Sequence, residues 1–435
     1  MSTIQIIGGG LAGCEAAWQA AERGCTVDLY EMKPTRFSPA HESELLGELV
    51  CSNSLRSNAP DSAVGLLKEE MRRFDSLIMR AADATSVPAG SALAVDRQQF
   101  AVFISQAVEE HPGITVIREE VTSLPEKGDP VILATGPLTS EAMTAALVEL
   151  TGEQHLAFYD AIAPIVAADS LDMDIIYQKS RWDNEGPGDY LNCPMSEDQY
   201  RDFIDLLGSA ATVPLKSFEK TKYFEGCLPI EVMCERGLET LRFGPMKPVG
   251  LDHPKTGEKA HAVVQLRAEN RDKTMYNLVG FQTKLTYSEQ KRVFRTIPGL
   301  EKAEFARLGS IHRNTFICAP ELLDASLQMK KRPGLFLAGQ LSGVEGYVES
   351  TAMGLLAGIN VASLLAEKPM IPPPAATALG ALIRHLTETD PKHFQPSNVN
   401  FGLFPPLGKK MRKRDRGGVR AEQALRLLEE WRQEL

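Results

Sequence analysis

Apolar positions fall along the chain in short blocks whose spacing predicts the elements. Ile4, Ile6 and Ile7 form an apolar run that stops at Gly8-Gly9-Gly10-Leu11-Ala12-Gly13. Ala12, Ala16, Ala17 and Ala20 then recur at helical spacing and predict a helix with a narrow, small-residue face. Thr26-Val27-Asp28-Leu29-Tyr30 reads as a second strand ending at Glu31, so the opening is a βαβ unit. Two later apolar runs enter glycine turns in the same manner, one reaching Ala134-Thr135-Gly136 and the other Leu337-Ala338-Gly339. A helical pattern from about Ser350 to Glu367 follows the second. The two ends of the chain resemble each other and the middle does not. This predicts an α/β domain of Rossmann type in two parts, 1–150 and 305–370, interrupted by an inserted α+β domain over 151–304. Pro369-Met370-Ile371-Pro372-Pro373-Pro374 ends any helix. Beyond it lies a small C-terminal helical region, 371–435, with helices expected over Ala378–Glu388 and Val419–Glu434. No internal repeat is visible.

Composition narrows the class. The 435 residues are 43% hydrophobic and 24% charged, which excludes a disordered or low-complexity chain. With 47 basic and 57 acidic side chains the net charge is −10, unlike a non-specific nucleic-acid coat protein. The seven cysteines (Cys14, Cys25, Cys51, Cys193, Cys227, Cys234, Cys318) include no CxxC pair, so neither a zinc site nor a disulfide framework is expected. No metal is expected. The amino terminus lacks secretory features, and Met353 to Ala366 is shorter than the roughly 20 residues that span a bilayer. A reduced, cytoplasmic protein without a membrane segment is the expectation.

The glycine turn carries the first chemistry. In Gly8-x-Gly10-x-x-Gly13, the first glycine permits the tight turn and the second admits a pyrophosphate against the backbone. The third allows close helix packing, and Glu31 is placed to bond the adenosine ribose. Gly9, Leu11 and Ala12 complete that loop. The extreme amino-terminal position, with further turns at Thr135-Gly136 and Gly339, favours FAD over NAD and the glutathione-reductase kind of Rossmann domain. No second complete dinucleotide motif appears in the middle. Gly343 and Gly346, flanking Val344-Glu345 and preceding Tyr347, are glycines that would let the backbone approach a flavin, on which Tyr347 could stack. Cys51 lies among Ser52, Asn53 and Ser54, polar neighbours suited to a site. Cys227 lies on a turn between Glu225 and Glu231, where negative charge does not activate a thiol. The other five cysteines read as structural. Lys247 is presented by the loop Phe243–Gly250, and His312-Arg313-Asn314 forms a polar cluster before the last flavin-type strand. Lys409, Lys410, Arg412, Lys413 and Arg414 form a basic run that could track phosphates in an otherwise acidic chain.

Taken together, GGGLAGCEAAW, LYEMKP, ELVCSNSL, ALAVDRQQF, LATGPLTS, DYLNCPM, FGPMKPVGL, VGFQTKL, HRNTFICAP and AGQLSGVEGYVES resemble the folate- and FAD-dependent tRNA (uracil-5-)-methyltransferase family. The resemblance runs from the start to about Gly408. It implies methylation of uracil C5 in the tRNA T loop to give 5-methyluridine. Methylenetetrahydrofolate would be the carbon donor, and NADPH or NADH would recharge the FAD. It also implies that Cys51 and Cys227 are the two functional cysteines and that Tyr347 lies beside the flavin. Cys227 is expected as the nucleophile at uracil C6 and Cys51 as the proton-handling partner, with the reverse order open. No obligate protein partner is expected.

Three other readings compete. The wobble-uridine carboxymethylaminomethyl-modifying flavoproteins have a large carboxy-terminal helical region with no counterpart here. A relative methylating a ribosomal RNA uridine would use the same chemistry. A non-catalytic FAD-containing RNA-binding protein would be indifferent to loss of Cys51 or Cys227.

Overall fold

The computed structural model describes residues 3–126, 128–152, 156–181, 188–213, 228–408 and 412–435, the side chains of 156–160, 312–313 and 413 excepted. Its first strand, Thr3–Ile7, buries Ile4, Ile6 and Ile7 and runs directly into the glycine turn. The opening helix Leu11–Ala21 follows, then the strand Thr26–Tyr30 pairs parallel to the first, with Ile4 opposite Val27. The complete sheet has the order Gln328–Met329, Arg332–Leu337, Val131–Leu133, Thr3–Ile7, Thr26–Tyr30 and Ile114–Ile117. Only Gln328–Met329 runs antiparallel to its neighbour. A parallel sheet is covered on both faces, and the central strand Val131–Leu133 is accordingly apolar and buried throughout. Thr3–Ile7 and Thr26–Tyr30 instead alternate buried apolar residues with more exposed, mostly polar ones.

The small-residue face of the opening helix packs on the long helix Tyr347–Leu365. A β-carbon on Gly354 would lie 2.2 Å from the Ala12 carbonyl oxygen, and one on Gly358 2.6 Å from that of Ala16. The two backbones therefore touch, which only an alanine and glycine stripe permits. The long helix has the length and apolarity of a bilayer span, but 89% of its most apolar window is buried inside the protein. It begins at Tyr347, three residues before the predicted start, because Gly346 at φ +108° turns the chain directly into it.

The middle of the chain forms a second sheet, ordered Tyr177–Gln178, Tyr190–Met195, Ala262–Ala268, Met275–Leu278, Ile165–Ala167 and Phe305–Arg307. It is antiparallel, with helices Glu197–Gly208 and Tyr287–Phe294 against it and a core of its own. Phe203, Phe281 and Phe294 meet there with ring centroids 6.2 and 5.7 Å apart. Phe305–Arg307 pairs with Ile165–Ala167, just past the boundary expected at 304. A two-stranded ribbon, Leu156–Ala161 with Ile311–Phe316, joins this unit to the first.

The C-terminal helices occur at Ala378–Glu388 and Arg416–Arg432. The last begins three residues earlier than its apolar pattern suggests and packs Trp431 against Phe74, ring centroids 5.3 Å apart. The Trp431 indole donates to the Ile371 carbonyl at 3.0 Å. Glu70 closes the start of the other helix by accepting from the Ala378 and Leu379 amides at 2.7 and 2.9 Å. Burial pushes its carboxyl up to about 8.

Candidate active site

The turns after four parallel strands meet at one edge of the first sheet. Ligands of doubly wound sheets sit at this carboxyl edge. A cavity of about 490 Å³ opens there, bounded on its far side by the inserted unit. Gly8, Gly9, Gly10, Leu11 and Ala12 form one wall, with Glu31, Thr135, Gly136, Gly339 and Gly346 around it.

The glycines differ in what they do. At Gly8, φ is +111° and a β-carbon would lie 2.4 Å from the Ala134 carbonyl oxygen. At Gly13 it would lie 1.8 Å from the Gly8 carbonyl oxygen, so that glycine serves packing and does not line the cavity. At Gly10 it would meet nothing within 4 Å and would project into the cavity itself. Gly10 also caps the opening helix, whose unpaired amides carry the positive end of the dipole. This cradle, empty where a side chain would stand, suits the pyrophosphate of a dinucleotide. Glu31 closes the loop by accepting the Gly9 amide at 2.8 Å and the Lys33 amide at 3.0 Å while still lining the cavity. Gly343 is a correction to the expectation. Its φ of +97° and a β-carbon 2.5 Å from the Phe394 ring explain the glycine, and it lies off the cavity wall.

Cys51 and Tyr347, 296 residues apart in sequence, meet on the cavity wall. The Cys51 amide donates to the Tyr347 hydroxyl at 2.8 Å, and the sulfur lies 3.0 Å from the same oxygen. An amide only donates, so the phenol oxygen accepts from it; the hydroxyl and the thiol then share a second hydrogen bond in which either group can be the donor. Burial first, and the neighbouring Cys51 second, hold the Tyr347 pKa well above 10. The hydroxyl therefore stays protonated and keeps its hydrogen bond with the sulfur.

The Cys51 loop is clamped from both units. Arg97 donates to the Leu49 carbonyl and pairs with Glu269 at 3.0 Å. Arg267, on the central strand of the inserted sheet, donates to Ser52 Oγ at 2.8 Å and Asn53 Oδ1 at 2.9 Å. The Asn53 amide returns to the Ala268 and Val95 carbonyls at 2.9 and 3.0 Å. Arg56, at φ +63°, pairs with the buried Glu349. Of these clamping residues only Arg267 lies inside an apolar strand, Ala262–Ala268, whereas Arg97 opens the helix Arg97–Glu109 and Glu269 follows the strand. Their partners could not be read from the sequence.

Of the other expected site residues, Cys227, Lys409 and Lys410 lie outside the described residues, as does the side chain of Lys413. Arg412 and Arg414 are exposed, with Arg414 3.5 Å from Asp415. Lys247 is exposed and lies off the cavity wall. Asn314, from the polar cluster before the last strand, does line the cavity. Cys14, Cys193, Cys234 and Cys318 are buried and Cys25 is half-buried. Among the described residues no three metal-ligating side chains come together.

Comparison with known proteins bears directly on this geometry. The family model described as glucose inhibited division protein A matches residues 3–369. The methylenetetrahydrofolate--tRNA-(uracil-5-)-methyltransferase TrmFO of Desulfotalea psychrophila is 65% identical over 99% of this chain and 97% of its own. That of Geobacter sulfurreducens is 61% identical over 98% of both chains. Among solved structures, Aquifex aeolicus GidA superposes with a TM-score of 0.69 at 17% identity, covering 98% of this chain and 76% of that one. That likeness speaks for the fold. The full-length identities speak for more, and the chain belongs to the TrmFO-type methylenetetrahydrofolate--tRNA-(uracil-5-)-methyltransferases within the glucose inhibited division protein A family.

Proposed function

We infer that this chain methylates C5 of a uracil in tRNA, with methylenetetrahydrofolate as the carbon donor and FAD as the bound cofactor. We further propose that the uracil lies in the T loop, and that NADPH or NADH supplies the reducing equivalents. The carrying observation is the Cys51–Tyr347 pair, 3.0 Å between sulfur and hydroxyl, on the wall of a cavity whose glycine turns suit a dinucleotide. Bound FAD supplies the redox chemistry that a methylene-to-methyl conversion requires.

The residues divide the remaining work. The start of the opening helix and Gly10 receive the pyrophosphate, and Glu31 faces the ribose. Uracil C5 becomes nucleophilic once a thiolate adds to C6 and generates an enolate. We assign that addition to Cys227. C5 then gains the carbon and must lose its proton, which we assign to Cys51. Tyr347 holds the Cys51 sulfur in place for this through their shared hydrogen bond, while Arg97 and Arg267 fix the loop that carries it. Loss of the C5 proton expels the donor nitrogen and leaves an exocyclic methylene. Hydride then adds to that carbon to complete the methyl group, and the Cys227 thiolate leaves C6 as the ring double bond reforms. Arg412 and Arg414, with Lys409, Lys410 and Lys413, are the proposed contacts to RNA phosphates. The reading places the protein in the cytoplasm and needs no obligate protein partner.

Purified, flavin-loaded protein incubated with undermodified tRNA, methylenetetrahydrofolate and NADPH should yield 5-methyluridine on nucleoside analysis. Absence of that nucleoside would refute the reading. Trapping on 5-fluorouracil RNA orders the thiols, since the variant that forms no covalent adduct lacks the nucleophile.

A further inference from the structure

Four buried side-chain atoms among the described residues have no hydrogen-bond partner: Glu269 Oε1, Asn277 Nδ2, Asn314 Nδ2 and Glu349 Oε2. Two of them, both amide donors, belong to residues that line the cavity. Asn277 and Asn314 are each only 3% exposed. A buried amide donor without a partner is unfavourable, and its persistence in a folded protein calls for a partner that arrives later. Asn277 lies on the strand Met275–Leu278, in register with Ile165, and Asn314 on Ile311–Phe316, in register with Phe158. The stretch Ala161–Ala163 between those two pairings also lines the cavity. Both carboxamides therefore stand on the wall that the inserted unit and its connecting ribbon present, across from the glycine cradle.

We propose that Asn277 and Asn314 form a recognition site for the lactam edge of a planar heterocycle, a ring N–H beside a ring carbonyl. A carboxamide matches that edge atom for atom, its Nδ2 donating to the carbonyl and its Oδ1 accepting from the N–H. The proposal rests on the function inferred above and deepens it, because two of that reaction's substrates carry the edge. The target uracil has it at N3–H and C4=O, and the pterin ring of the folate has the same pair.

The test uses full-length, flavin-loaded protein carrying Asn277→Leu or Asn314→Leu. One arm titrates tetrahydrofolate and follows the flavin absorbance. The other measures binding of a T-arm RNA hairpin against the same hairpin with cytosine at the target position, since cytosine lacks the lactam. Loss of one buried hydrogen bond should weaken tetrahydrofolate, or the preference for uridine over cytidine, by roughly 10-fold to 100-fold. The arm that responds identifies the source. The thermal midpoint of the unliganded variants should hold or rise, because an unpartnered buried donor has been removed. Unchanged affinities in both arms, or a loss confined to flavin retention, would overturn the proposal. If leucine unfolds the chain, Asn277→Asp and Asn314→Asp keep the shape while replacing the donor with an acceptor, and the same affinities are read. Wild-type protein run alongside separates the two failures. If it makes no 5-methyluridine and binds no tetrahydrofolate, the function is wrong, whereas an active wild type with indifferent variants refutes only the recognition site.

Discussion

Replacing Gly10 with alanine separates folding from cofactor binding at a single atom. The backbone there has φ −79° and ψ −171°, which alanine adopts without strain. The added β-carbon would meet no protein atom within 4 Å. The unliganded variant should therefore fold normally and gain about 0.4–1 kcal/mol from the less flexible unfolded chain. The new methyl group nevertheless stands in the cavity at the helix start, where a pyrophosphate must approach. Displacing that group loses at least one charge-assisted hydrogen bond, worth about 1.5–3 kcal/mol, so flavin affinity should fall roughly 10-fold to 100-fold. Gly8→Ala is the contrast. Its φ of +111° and an approach of 2.4 Å to the Ala134 carbonyl oxygen should destabilise the fold itself by about 2–5 kcal/mol. The assay pairs thermal melting of flavin-stripped protein with a flavin titration. A Gly10→Ala protein that melts normally and binds FAD as tightly as wild type would refute the placement of the pyrophosphate.

Other outcomes follow from single interactions. Tyr347→Phe removes the hydroxyl that accepts the Cys51 amide and faces its sulfur, so methyl transfer should fall about 10-fold or more with flavin content unchanged. Equal turnover would remove Tyr347 from the chemistry. Burial lowers the Lys68 ammonium to about 7, so the folded state binds fewer protons than the unfolded chain between about 7 and the usual lysine range. Its contribution to stability should thus increase as pH rises through that interval, by at most about 1.4 kcal/mol per pH unit. Denaturant titrations of wild type and Lys68→Met across that interval should diverge in slope, and parallel curves would contradict the assignment. Neutralising Arg412 and Arg414 should reduce the slope of log affinity against log salt for tRNA, by about 0.7–0.9 for each phosphate that no longer meets a cation. An unchanged slope would make them ordinary surface.

The opening βαβ unit was legible because its signals are local. Apolar alternation, a glycine turn and a small-residue helix face each act within a few residues, and Glu31 ends the next strand. The split of the Rossmann domain was legible for the same reason, since each half keeps its own strand-to-glycine turn. Gly343 shows the limit of such reading. A glycine in a flavin-type turn looked like an approach to cofactor, but a Phe394 ring from 51 positions later explains it. Nothing local marked that Tyr347 would meet Cys51, or that Arg267 would cross from the inserted sheet to hold Ser52 and Asn53. Nor did it mark that Asn277 and Asn314 would keep unpartnered donors on one wall. Short-range patterning determined which segments become strands, turns and helices, because backbone geometry and periodic burial depend on near neighbours. The site itself was decided only by tertiary structure, since its hydrogen bonds join residues whose adjacency exists after two sheets have packed across one cavity.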